Sequence, residues 1–167
     1  MLFVMKPVIR TFLLIAFSSF LFLNTQCDDD GCNHCLEFDG KTQVAFLKGV
    51  DIHYPDVTAV DRNLIIGTWP EADEPEVAVG GTLANNLSLG VSDYRTLLKI
   101  MVPKPGTGQI TDPSQAFSKT SAVASGIFQV SETIDGSCIF GNLDFVGALL
   151  DYDTDTLSAI EFKLHPN

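Results

Sequence analysis

From Leu157 to Leu164 (LSAIEFKL) apolar and polar side chains take turns. Ser158, Ile160, Phe162 and Leu164 share one face of an extended chain, and Glu161 and Lys163 share the other. A period of two is the signature of a half-buried β-strand. Upstream, Ile127–Ser131 runs into Asp135-Gly136, a dipeptide that accepts φ > 0 at both central positions of a tight hairpin turn. Ser137–Leu150 (SCIFGNLDFVGALL) then reads as a long returning strand, and the acidic loop Asp151–Thr156 leads into the last one. This C-terminal third is expected to form three antiparallel strands with one wet face and one buried face.

The rest of the chain continues in short β-type runs. Strands are expected at Gln43–Leu47, Asp51–His53, Val57–Val60, Asn63–Trp69, Glu76–Val79, Leu87–Val91 and Thr96–Val102. Within the last of these, Leu98, Ile100 and Val102 face one way and Lys99 the other. Pro70 and Pro75 bracket an acidic loop that no strand can cross. Gly80-Gly81 is a second break. Ser92–Leu97 fits a single short helical turn, and the Ser/Thr-rich stretch Gly108–Ala124 reads as a surface loop. No internal repeat is visible. The layout predicts an all-β fold, an antiparallel β-sandwich, with a small up-and-down β-barrel of the lipocalin kind as the alternative.

Met1–Gln26 stands apart. Lys6 and Arg10 precede the uncharged apolar run Thr11–Leu23, which is too short for a relaxed membrane span and suited to a signal-peptide core. We therefore read 1–26 as signal peptide, 27–36 as a spacer behind a lipid anchor, and 37–167 as one β domain. All 21 acidic residues follow the leader, with 8 of the 10 basic ones, so that part carries a formal charge of −13. It has no Lys/Arg cluster. Nucleic acid is thereby disfavoured as a partner, as is attraction to anionic headgroups.

Cys27 follows the apolar run where a lipoprotein is cleaved and acylated, and Asp28-Asp29-Asp30 comes directly after it. The segment Gln26–Asp30 resembles the start of mature Bacteroidota lipoproteins, in which an acidic tag behind the lipidated cysteine accompanies export to the cell surface. Gln26 departs from the small residue usual before that cysteine. A second resemblance, to small uncharacterised lipoprotein domains of the same group, rests on Asp39-Gly40-Lys41, Leu97–Gly106 and Gly141–Phe145, with Leu143 where Phe is usual. The resemblance implies an all-β fold, a lipid anchor on Cys27 and an outer-membrane or cell-surface location, and it implies no known activity. Cleavage by an ordinary signal peptidase would instead leave a secreted or periplasmic protein.

Cys32 and Cys35 have the spacing of a redox pair, but Leu36–Gly40 reads as strand and turn, not the helix such pairs precede. A structural disulfide among Cys32, Cys35 and Cys138 is the expectation, since Cys138 can clip the N-terminal arm to the sheet. Catalytic motifs are missing, and His34, His53 and His165 are dispersed. Asp51 and His53 share a strand face, but Tyr54-Pro55 is expected to keep Asp56 away from them. Asp151, Asp153 and Asp155 have the opening rhythm of a calcium loop without its later glycine and glutamate, so calcium is the one cofactor to consider. Trp69, Tyr54, Tyr94 and Phe117 lie near loops and form a candidate contact patch.

The expectation is a non-catalytic, lipid-anchored envelope protein. The alternative is a carrier of small hydrophobic ligands, with Phe128, Phe140 or Phe145 lining a barrel cavity.

Overall fold

The computed structural model describes residues 34–104, 117–153 and 156–164. Its seven strands are β1 (His34–Phe38), β2 (Lys41–Val50), β3 (Leu64–Gly67), β4 (Glu76–Gly80), β5 (Leu98–Pro103), β6 (Phe117–Phe128) and β7 (Cys138–Asn142). Their order is β3-β6-β4-β7-β2-β1-β5, and β5 also pairs with β6, so six strands close into a barrel and β3 is added outside the ring. Four short helices accompany them: α1 (Tyr54–Thr58), α2 (Gly81–Leu87), α3 (Glu132–Asp135) and α4 (Leu143–Leu150). A 3-10 turn occupies Val60–Asn63.

The closed ring is a barrel and not an open sandwich. It is not up-and-down either, because β2–β7 and β4–β6 are parallel pairs. Parallel neighbours need crossover connections in place of hairpins.

The pairing has a two-fold symmetry. β1 and β2 form a hairpin; so do β5 and β6 as an antiparallel pair. The C-terminal half of β2 then runs beside β7, and that of β6 beside β4. β4 passes directly into α2, and β7 directly into α4. The seams between the two units are centred on Leu36 opposite Ile100 and on Ala78 opposite Phe140. One β-β-β-α unit is thus used twice, with almost no sequence shared between the copies (HCLEF against LKIMVP, EVAVG against CIFGN).

Every barrel strand sends side chains inward, among them Leu36, Ala45, Val77, Ile100, Ala124 and Ile139, and α2 adds Leu83 and Leu87. These side chains fill the interior, as expected of a small barrel. A second cluster lies on the outer face, where α1, the 3-10 turn and β3 cover Val50, Ala78, Phe128, Cys138 and Phe140. β4 and β7 are therefore buried on both faces, which is why they read as continuous apolar runs. Phe128 and Phe140 belong to this outer cluster and line no barrel cavity.

Several expected elements differ. The C-terminal third is not three strands. β7 stops at Asn142, whose side chain accepts a hydrogen bond from the Phe145 amide at 2.7 Å and starts α4. That is an N-cap, and Ser137–Leu150 is too uniformly apolar for periodicity alone to separate strand from helix. Asp135-Gly136 ends α3, with Gly136 at φ −90, so no hairpin turn forms there. Asp135 is instead buried, with its carboxylate accepting from the Val130 amide at 2.8 Å. The true Asp-Gly hairpin is Asp39-Gly40, at φ 46 and 76, joining β1 to β2.

Of the expected loop Gly108–Ala124, residues 108–116 lie outside the described residues, and the last eight are not loop but open β6. Small side chains hide that strand, because Ala122 and Ala124 fill narrow inward positions, and a bulge at Ser125 breaks the alternation. Asp51–His53 and Val57–Val60 are not strands; Pro55 lies in the first turn of α1, where its missing N–H costs nothing. Leu87–Val91 is no strand either: Leu87 ends α2, and turn and coil carry the chain onward from Ser88. Ser92–Leu97 forms turns and bends without a helix. β3 approaches β6 only because of two glycines. A Cβ on Gly67 would stand 2.0 Å from the Ser125 carbonyl oxygen, and one on Gly126 would stand 2.4 Å from that of Thr68.

The segment 156–164 contains no strand. Ile160, Phe162 and Leu164 are 68 %, 80 % and 78 % exposed, the reverse of the burial expected for them.

Candidate functional site

A crevice lies beyond the carboxyl ends of each parallel strand pair. This barrel has two such places, related by its two-fold symmetry. The first, about 240 Å³, lies beyond β2 and β7 at the start of α4. The second, about 460 Å³, lies beyond β6 and β4 at the start of α2.

In the first crevice Ile52, Trp69, Pro70 and Leu143 present apolar surface, and Asp51 and Asp144 present carboxylates. Asn142 holds it together. While its carbonyl caps α4, its amide donates to the carbonyl oxygens of Glu74 at 2.8 Å and Glu71 at 3.3 Å. One side chain therefore starts the helix and pins the Pro70–Pro75 loop over it. Asp144, in the first helical turn, satisfies the positive end of the helix from within the chain. The crevice offers an anion no cationic side chain. The second crevice is more polar, lined by Thr82, Asn85, Ser88 and Gln129 beside Ile65 and Leu89. Asp135 at its edge is committed to the Val130 and Ser131 amides.

Sequence reasoning missed a cluster on the outer face of β2. Lys48 sits between Phe46 and Val50 on the face that packs against the outer core. Its ammonium pairs with Glu161, donates to the Tyr54 hydroxyl at 3.3 Å, and lies 4.9 Å from the centre of that ring. Burial works to lower the Lys48 pKa, but the Glu161 hydrogen bond and Tyr54 outweigh it, and the net shift is upward. Burial pushes the Tyr54 hydroxyl up as well, with Lys48 opposing. The available signal was a lone lysine in an otherwise apolar outward series, Phe46-Lys48-Val50.

The remaining sequence candidates fall in different parts of the fold. Asp51, His53 and Asp56 do meet, contrary to the strand argument, because α1 places Asp56 at i+3. The His53 amide donates to Asp51 Oδ1 at 3.0 Å, and His53 Nδ1 lies 3.5 Å from Asp56 Oδ2. The His53 and Asp56 side chains are 78 % and 81 % exposed, so the cluster lacks the desolvated setting in which acid–base groups are tuned. Trp69 and Tyr54 pack on Phe140 at 5.6 and 5.7 Å in the outer core, while Tyr94 and Phe117 are exposed on other elements. The four aromatics make no single patch.

Asp151 is the left-handed C-cap of α4 at φ 58, and Asp151 and Asp153 are exposed. Asp155 lies outside the described residues, as do the leader 1–26, Cys27, Cys32 and His165. Among the described residues no group of three or more His, Cys, Asp or Glu side chains is placed to hold a metal ion. Cys138 is buried and disulfide-bonded, and Cys35 carries a free thiol. Among the described residues no helix is long and apolar enough to cross a membrane.

No family model matches the chain, and no curated protein matches it.

Proposed function

We propose that this chain is an exported, lipid-anchored, non-catalytic protein of the cell envelope, held at the outer membrane or cell surface through Cys27. The observation that carries the reading is the order of parts at the N-terminus: positive charge, a short apolar run, Cys27, then three aspartates. The barrel supports a binding or structural role. Its interior is filled with side chains, and its exposed acid–base cluster lacks the burial that catalysis draws on.

The carrier reading keeps one foothold. A hydrophobic ligand would sit in the crevice beyond β2 and β7, against Trp69, Pro70, Ile52 and Leu143, and not inside the barrel. A weak calcium site would use Asp151, Asp153 and Asp155, and calcium titration of the chain tests it.

Mass spectrometry of the mature N-terminus tests the main reading. A chain beginning at Cys27 with diacylglycerol attached is the expected result. A mature chain with an unmodified cysteine would overturn the anchor and leave a secreted or periplasmic protein.

A further inference from the structure

The segment ending at Leu164 is fastened by its polar face. Glu161 pairs with Lys48 on β2, and Lys163 Nζ donates to the Asp56 carbonyl oxygen at 3.2 Å. Its other face, Ile160, Phe162 and Leu164, is turned to solvent. Two polar ties hold that face outward, away from the core. Its two charges, Glu161 and Lys163, are opposite and sum to zero, so it has no charge to draw it to nucleic acid or to anionic headgroups.

The position of the ties identifies what covers that face. Cys138 stands opposite Phe46 in the β2–β7 register, and Lys48 is two residues further along the same outward row. At about 3.3 Å of rise per residue, the disulfide and the Lys48–Glu161 tie are roughly 7 Å apart along the strand. The chain has four cysteines, and Cys35 is free. If Cys27 carries lipid, Cys32 is the sulfur left for Cys138. Four residues then separate the acylated cysteine from the disulfide, and the five Cα–Cα steps span at most about 18 Å of extended chain. On that reading one short tether links the anchor to the disulfide, which lies beside the Lys48–Glu161 tie.

We propose that Ile160, Phe162 and Leu164 dip into the lipid surface that holds the anchor, so that the protein sits on the membrane in one fixed orientation with the outer face of β2 downward. The inference rests on the lipid-anchor reading. Apolar area buried at the interface adds to the attachment an acyl anchor gives. The lipid it suits is zwitterionic, because the chain around it is acidic.

The test uses the full-length, natively processed protein reconstituted into phosphatidylcholine vesicles, with and without brominated lipid. Phe162→Trp places a reporter on the face, and Tyr94→Trp places one on the exposed turn before β5; native Trp69 is a background common to both. The tryptophan at 162 is expected to be quenched several-fold more strongly than the one at 94. Equal quenching in an acylated sample would overturn the inference and leave the anchor standing. Mass spectrometry of the same sample showing no acyl chain would overturn the anchor reading and this inference with it. A blue shift at 162 that grows with protein concentration in the absence of vesicles would show a second copy on the face, and would overturn the lipid assignment.

Discussion

β5 and the C-terminal segment carry the same pattern with opposite outcomes. In β5, Leu98, Ile100 and Val102 are buried to 2 % exposure or less, and Lys99 meets Glu37 at 2.7 Å on the other face. In the C-terminal segment, Glu161 meets Lys48 in the same fashion, while Ile160, Phe162 and Leu164 stand in solvent. Side-chain alternation fixes which residues share a face. It does not say which face is dry. Backbone partners decide that: β5 has β1 on one edge and β6 on the other, and no strand pairing involves the C-terminal segment.

The difference can be broken at its strongest point first. Ile100→Ala removes a fully buried side chain at the seam between the two β-β-β-α units, and should cost about 2–5 kcal/mol in urea denaturation. The corresponding change in the C-terminal segment, Phe162→Ala, should move the same midpoint by less than about 0.5 kcal/mol. Equal losses at the two positions would put Phe162 in a core.

Asn142→Ala comes next. It removes the cap of α4, a loss of about 1–2 kcal/mol, and releases the Pro70–Pro75 loop. Proteolysis within Pro70–Pro75 should rise in step with the lost stability. At the symmetry-related position Gly80 starts α2 without any side-chain bond, so the two units differ in how their helices begin.

Glu161→Gln should cost less than about 1 kcal/mol, because the pair is partly exposed. Its pH dependence is more telling. The Lys48 pKa is raised above its ordinary 10.5, so the stabilisation is complete below that value and is lost as pH rises through the folded-state value. Tyr54, also raised, favours its neutral form and adds a loss in the same alkaline direction. The thermal midpoint should be insensitive to these groups between pH 7 and 9 and fall above about 10. The fall should be shallower in Glu161→Gln.

The strands that could be read directly were those whose burial is one-sided or complete. Leu98, Ile100 and Val102 announced β5, and Glu76–Val79 announced β4. Asp39-Gly40 turned where Asp-Gly should, while Asp135-Gly136 did not, because Ser131 caps a helical turn and Asp135 reaches back to the Val130 amide. β6 was hidden by its small side chains and the Ser125 bulge, and α4 by an apolar stretch that fits either period. The two-fold repeat was invisible because it lies in pairing and not in residue identity. The two crevices were equally hidden, since each needs a parallel strand pair drawn from distant parts of the chain. The Lys48–Tyr54–Glu161 cluster joins residues 113 apart, and only the lysine in an apolar row hinted at it.

Amide hydrogen exchange compares the two alternating stretches most directly. The β5 amides of Leu98, Ile100 and Val102 should exchange only with opening of the barrel, and those of Ile160, Phe162 and Leu164 should exchange at near the rate of an unstructured peptide. Comparable protection across both stretches in the lipid-free chain would contradict the account, since it would mean that the C-terminal segment has a strand partner and an interior of its own.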